Sequence, residues 1–347
     1  MSKKNLEIVK QNVGLDLSKD DFKADLVVLD IEQESRSKAR KRFSNTLKGI
    51  DQFFSWFEKK VDPSMKVEFT MEATGVYYEH LAYALFEKEC IVHVVLPNLA
   101  NKFAESLGIS SKTDKLDAFS LGRMGAERKL PRWQPASKHI KTLKTLTRER
   151  SKRLKAKTKA VNQLHALNHS KHPPKSSIKR NEKLITFLED QINDIEKDIA
   201  ELIKADEVLD KKVQKITSTP GLGLITVACV VAETNGFAAI KNIKQLQSYA
   251  GYDIRLRESG NWKGKSKISK KGNSHIRHAL YLPAYTITRY SSHHKAFYER
   301  LLKNKGESLI ASTAVQRKLL GLIYILWKKD EYFDPQFAQK KLHKSKI

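Results

Sequence analysis

Apolar positions recur at every second residue over Val13, Leu15 and Leu17, and a second apolar stretch runs from Ala24 to Leu29. The polar residues Ser18 to Asp21 lie between them. That pattern predicts two strands joined by a hairpin turn. A third strand is expected near Arg42 to Ser44. Leu47, Ile50, Phe53, Phe54 and Phe57 then fall at helical spacing, and Val67 to Glu72 alternates again as a strand that ends on Glu72, shortly before Gly75. A helix from Tyr78 to Glu87 and a buried-type strand from Ile91 to Leu96, stopped by Pro97, complete the amino-terminal pattern.

A β-meander followed by alternating helices and strands is the order of an RNase H-like α/β domain, here residues 1–133. From about residue 137 the periodicity becomes purely helical. Ile140, Leu143, Leu154, Val161 and Leu164 keep a partial apolar stripe beside a dense set of lysines and arginines. After His172, Pro173 and Pro174, a second helix carries Ile185, Leu188, Ile192, Ile195, Ile199 and Leu202 at alternating three- and four-residue steps, a coiled-coil seam. Residues 134–212 therefore read as a basic helical hairpin. Its seam is buried either within the hairpin or against a second subunit. Residues 213–330 read as a mainly helical carboxy-terminal domain and 331–347 as a basic tail. The fold class is α/β plus all-α.

Charge changes this picture most. The 347 residues hold 65 Lys and Arg against 39 Asp and Glu, a formal charge of +26, and the 40% hydrophobic content is enough to build real cores. A folded chain so basic points to a polyanionic partner, nucleic acid above all. Two distant cysteines, Cys90 and Cys229, argue against a disulfide framework. An amino terminus with no apolar segment, and an apolar run of only Leu319 to Trp327, lead us to expect a soluble cytoplasmic protein with no membrane partner.

Four acids stand out. Asp16 interrupts an apolar strand, Glu72 closes another, and Asp114 and Asp117 sit three apart on one face of an expected helix. Converging carboxylates repel unless hard cations neutralise them, and Mg²⁺ takes oxygen ligands, so a metal site for phosphoryl transfer accounts for all four. Taken singly, each is equally an ordinary turn, cap or surface residue.

Further along, eight Lys and Arg lie between Asp253 and His278, among them Arg255, Arg257, Lys263, Lys265, Lys270, Lys271 and Arg277, with Ser259 and Gly260 in their midst. A serine among cations on a glycine-containing loop is placed as a nucleophile toward phosphate would be, and serine is also a common loop residue. Pro220, Gly221, Leu222 and Gly223 between two helical patterns resemble a helix-hairpin-helix turn whose glycines expose N–H groups to a DNA phosphate, though such turns are common elsewhere. On the first arm helix, Arg148, Arg150, Lys152 and Arg153 either grip phosphate backbones or form a solvated face. His165, His169 and His172 lack accompanying acids or cysteines and do not read as a zinc site.

Together, Gly14 to Ser18, Glu72 to Gly75, Lys112 to Ala118, Pro220 to Gly223, Tyr249 to Gly251, Glu258 to Gly260, Ile268 to Asn273 and Arg277 resemble the DEDD transposases, the Piv/MooV-like recombinases of the insertion-sequence one-ten family. The likeness runs through nearly the whole chain in order. It implies a RuvC-like domain, a coiled-coil arm and a transposase domain, with Asp16, Glu72, Asp114 and Asp117 as metal-binding acids and Ser259 as the nucleophile that forms a phosphoserine with DNA. It also implies a homo-oligomer, dimer or tetramer, and a bridge RNA that pairs with donor and target DNA. One departure is Ile254, where members often carry proline. Two other functions stay in view: a Holliday-junction resolvase or DNA invertase in which the acids activate water, and a non-catalytic nucleic-acid-binding scaffold.

Overall fold

A computed structural model describes residues 7–73, 75–108, 114–255, 258–259, 262–264 and 267–336. They divide into two compact units, Met1–Pro135 and Ala136–Ile347.

The first unit is a five-stranded mixed sheet. Strands β1 (Ile8–Leu17), β2 (Asp21–Asp30) and β3 (Ser35–Ser44) form the meander, and β4 (Val67–Glu72) and β5 (Ile91–Val95) join parallel to β1, giving the order β3-β2-β1-β4-β5. Three antiparallel strands followed by two parallel ones is the sheet expected for an RNase H-like domain. β1 is buried almost continuously from Gln11 onward because helices cover both faces. On one face Val13, Leu15, Leu17, Phe69 and Met71 share a core with Phe53 and Phe54 of α1 (Leu47–Glu58) and Leu81 and Leu85 of α2 (Glu79–Glu87). On the other face lie α3 (Pro97–Ser106) and α4 (Asp114–Glu127), whose Phe103, Leu121 and Met124 pack with Val95. The sequence places Pro97 as a strand stop and leaves α3 out. Proline is in fact the first residue of that helix, where its missing N–H needs no partner.

Helix α4 comes unusually close to β1. A Cβ on Gly14 would sit 1.9 Å from the Ala118 carbonyl oxygen and 2.3 Å from the Gly122 nitrogen, and one on Gly125 would meet Thr70 Oγ1 at 2.1 Å and Asn12 Nδ2 at 2.2 Å. Glycine at 14 lets backbone press on backbone, and glycine at 125 lets the helix backbone sit against the Asn12 and Thr70 side chains.

The second unit is helical: α5 (Lys138–Asn168), α6 (Lys175–Lys204), α7 (Glu207–Thr217), α8 (Leu224–Glu233), α9 (Ile243–Tyr249), α10 (Ser274–Ala279), α11 (Tyr281–Tyr290), α12 (Ser292–Lys305) and α13 (Ser308–Lys329). Helices α5 and α6 pack along each other as a hairpin, and of the seam positions Ile185 and Leu202 are half-buried. Leu188, Ile192, Ile195 and Ile199 are all buried, the last two in the same core as α8 and α13. By length and composition α13 could cross a membrane, yet 56% of its apolar stretch is buried within this core, with Leu319, Leu320 and Ile323 wholly inside. Between α9 and α10 the chain makes two short ladders, β6 (Ile254–Arg255) with β9 (Lys267–Ile268) and β7 (Glu258–Ser259) with β8 (Trp262–Lys263).

Replacing Gly14 by Ala is expected to lower the stability of the first unit by at least about 1–3 kcal/mol, as overpacking does. Urea denaturation of the variant checks this, and an unchanged midpoint would contradict the close contact.

Candidate active site

The sheet brings two of the four acids to one place. Leu15 of β1 pairs with Met71 of β4 in parallel register. Asp16 and Glu72 are the next residue on each strand, and both alternate to the face opposite the Leu15 and Met71 core, the face that α4 covers. Ala118 lies over Gly14 through the contact just described, which sets Asp117, one residue earlier on α4, at the same end of β1. Asp16, Glu72 and Asp117 accordingly line a single cleft of about 160 Å³, walled by Asn101 of α3 and by Ser120, Leu121 and Met124 of α4. The Ser120 hydroxyl is buried and has no hydrogen-bond partner in the structure. Asp114 opens α4, and its side chain lies outside the described residues.

Three carboxylates around one polar cleft are the donor chemistry of a hard divalent cation, and at about 30 Å³ per water the space suffices for an ion and several of its waters. Among the described residues no three acids, histidines or cysteines stand close enough together to hold an ion unaided. The set therefore fits such an ion in ligand type, without forming a finished cage.

The serine and its cations lie on the β6–β9 excursion. Ser259 ends β7 opposite Trp262, so it sits in a short ladder where the sequence suggests a flexible loop. Its side chain and that of Lys263 lie outside the described residues, as do Arg257 and Lys265 altogether. Arg255, Lys270 and Lys271 are exposed, and Lys270 holds a left-handed backbone at φ 51°. Gly221 has φ 86° and is pressed against Thr286 and Ile287 of α11, while Gly223 is the exposed N-cap residue of α8.

Several basic residues assigned to nucleic acid on sequence grounds turn out to have protein partners. Arg148 forms a forked ion pair with Glu233 of α8, Nε to Oε1 at 2.6 Å and Nη2 to Oε2 at 2.9 Å, and the Glu233 side chain is fully buried. Arg150 pairs with Glu196 across the hairpin, Arg153 with Glu149 one turn away, and Arg277 donates to the Ala250 carbonyl at 2.7 Å. Among the candidates on α5, Lys152 stays exposed, flanked on the same face by Lys155 and Lys159. Sequence reasoning missed Glu233, and it held Asn273 only as the last residue of the Ile268 to Asn273 motif, with no role attached. An acid after an apolar helix gave no sign that an arginine 85 positions earlier would claim it.

Two transposase family models match this chain: that of the DEDD transposases of IS110 type over residues 13–173, and that of the transposase IS116/IS110/IS902 family over residues 213–299. The chain is an enzyme acting on DNA, and it belongs to the IS110-family DEDD transposases. It is 28% identical over 334 residues to the pilin gene-inverting protein of Moraxella bovis, covering 95% of this chain and 99% of that protein. It is 26% identical over 149 residues to the transposase for insertion sequence element IS1111A of Coxiella burnetii, covering 42% of this chain and 40% of that one. Among solved structures, Thermus thermophilus RuvC matches with a TM-score of 0.28 and 10% identity over 35% of this chain and 99% of its own.

Two outcomes follow from this geometry. Mn²⁺ or Mg²⁺ is expected to raise the thermal midpoint of the protein, by up to about 2.7 kcal/mol of stabilisation at a hundredfold excess over the dissociation constant. Asp16→Asn and Asp117→Asn should each abolish the rise, and a rise that survives both would place the ion elsewhere. The Glu233 carboxyl gives the second. Burial pushes its pKa up, but hydrogen bonds from Arg148 and Asn273 and the arginine charge outweigh this and hold it below the ordinary value. A depressed carboxylate stabilises the fold in full above its unfolded pKa, about 4.3, and that contribution is lost as pH falls through the folded value. The stability gap between the wild type and Glu233→Gln should therefore narrow as denaturation is repeated on the acid side of that value. A gap constant with pH would contradict the assignment.

Proposed function

We propose that this transposase cuts and rejoins DNA through a serine-linked intermediate, with Mg²⁺ as its metal and an RNA of the element as its guide. The observation that carries the reading is the convergence of Asp16, Glu72 and Asp117 on one cleft at the carboxyl ends of two adjacent parallel strands. Those three acids, with Asp114, would hold a divalent ion. Bound there, the ion would neutralise charge on the scissile phosphate and orient it.

The chain's own part is nucleophilic. Ser259 Oγ bonds to phosphorus as the bond to the leaving deoxyribose oxygen breaks, and that oxygen takes up the proton the serine releases. Rejoining is the reverse attack by a deoxyribose hydroxyl on the phosphoserine, so the bond energy is conserved and no ATP is needed. Arg255, Arg257, Lys263 and Lys265 would neutralise the phosphate near the serine. Lys152, Gly221, Gly223, Lys270 and Lys271 would contact nucleic-acid backbone, as would the solvent-facing parts of Arg148, Arg150, Arg153 and Arg277. A homo-oligomer, dimer or tetramer, and a reducing cytoplasm fit the family reading and the two free cysteines. The end-to-end likeness to pilin gene-inverting proteins makes inversion of a DNA segment an alternative outcome of the same chemistry.

A second reading is favoured by one observation: the acidic cleft belongs wholly to the first unit, as a water-activating junction resolvase would require. Ser259→Ala separates the readings. Wild-type protein with Mg²⁺, its RNA and paired DNA sites should yield a covalent protein–DNA adduct and joined strands, and the variant neither. A variant that still cuts is a resolvase, and a wild type that never cuts is a binding scaffold. Binding should also weaken steeply with salt, with a logarithmic slope of about −0.9 per phosphate neutralised, and a flat response would discredit the basic contacts.

A further inference from the structure

The β6–β9 excursion leaves the helical core through a narrow neck, the two chain segments 249–253 and 269–273. Gly251 and Gly272 touch there. A Cβ on Gly272 would lie 2.5 Å from both the Gly251 nitrogen and the Tyr249 carbonyl oxygen. Asn273 N–H donates to the Tyr249 carbonyl at 2.8 Å, Lys270 N–H to Gly251 at 3.1 Å, and Ser269 N–H to Asp253 at 2.7 Å. Whatever fixes this neck fixes the base of the segment that carries Ser259.

Asn273 ties the neck to the rest of the unit, beside Arg277, which donates to the Ala250 carbonyl, and Tyr252, whose hydroxyl donates to Gln316 of α13. Asn273 Oδ1 accepts from the N–H groups of His275 and Ile276, capping α10, and its Nδ2 donates to Glu233 Oε2 at 2.6 Å. Glu233 is in turn gripped by Arg148 from α5, and the Tyr249 hydroxyl donates to the Glu233 carbonyl at 2.8 Å. Helix α5 and the residue that caps α10 thus meet on one buried carboxylate of α8, and the end of α9 is bonded to the main chain of the same residue. A buried ion pair is a poor stabiliser, since desolvation offsets most of the attraction and an apolar substitute often serves as well. A fully satisfied one does fix geometry, because each oxygen is committed to a partner in a set direction.

We propose that Asn273, held by the Glu233–Arg148 pair, is a positioning residue for the Ser259 segment: the network sets where the serine stands and acts on the reaction only through that placement. This rests on the reading of Ser259 as nucleophile, and the consequences for motion and for chemistry can be read apart.

The variants are Asn273→Ser, which keeps a capping oxygen and loses the bond to Glu233, Asn273→Asp, which sets a second carboxylate against Glu233, and the reciprocal double Glu233→Gln with Asn273→Asp, which restores a donor–acceptor pair. Hydrogen exchange read by mass spectrometry should quicken in residues 254–268 of Asn273→Ser while α13 stays protected. Unchanged exchange in that segment, or a uniform rise that includes α13, overturns the proposal. With full-length protein, its RNA and DNA sites, the rate of covalent adduct formation should fall about 10- to 100-fold in both single variants, the loss expected when a reacting group is misplaced by roughly an ångström. DNA affinity should hold, and the double variant should recover most of the rate. A loss of affinity equal to the loss of rate, or no recovery in a folded double variant, also overturns it. If wild-type protein forms no serine adduct while the exchange pattern follows expectation, the nucleophile reading fails and the positioning network stands.

Discussion

Where α4 crosses β1, backbone lies against backbone, because Gly14 offers no side chain to the helix and Gly122 none to the strand. Helices usually ride on a sheet with a layer of side chains between, and in that arrangement Asp117 would stand well clear of the strand ends. Here the layer is absent for one turn. Asp117 drops to the level of Asp16 and Glu72, and three carboxylates share one cleft. The rest of the unit supports this contact: the phenylalanine-rich core packs on the far face of β1, and α3 walls the cleft, its Phe103 packed with Leu121 and Met124 of α4.

The helical unit divides its basic residues between two tasks. Arg148, Arg150, Arg153 and Lys157 have carboxylate partners, and one of these, Glu233, is wholly buried and carries three hydrogen bonds to its side chain. Lys152, Lys155 and Lys159 repeat along one exposed side of α5. A screened, solvated row of lysines contributes little to folding, and it leaves the charge available to a polyanion. Of the four basic residues on α5 that the sequence offers to phosphate, Arg148 is paired with a wholly buried carboxylate.

Much of the sheet was legible because strands β1, β4 and β5 and helices α1 and α2 carry strong local periodicity, and local patterns are what a sequence displays. Asp16 and Glu72 were legible for the same reason: an acid inside or at the end of an apolar strand breaks an otherwise clear alternation. Helix α3 was not, since Pro97 signals a stop and an N1 position equally well. The glycine contact was hidden because it pairs positions 14 and 122 that nothing local connects. Asn273 was visible only as the last residue of a motif in a lysine- and glycine-rich stretch, without a role. Its meaning depends on Glu233 forty residues away and Arg148 farther still. Ser259 stood out only through the company of its neighbours and through the resemblance of the whole motif set. The two family matches, 13–173 and 213–299, carry the same information as that ordered set.

The proposal at the centre of this account is that Asp16, Glu72 and Asp117, lining one cleft, hold a divalent ion together with Asp114. The most direct measurement substitutes Fe²⁺ for Mg²⁺, adds ascorbate and peroxide, and maps by mass spectrometry where locally generated hydroxyl radicals cut the chain. The account expects cuts clustered beside residues 16, 72 and 117, suppressed by excess Mg²⁺ and absent from Asp16→Asn. Cuts confined to other segments, or a pattern indifferent to Mg²⁺ and to Asp16, would contradict it.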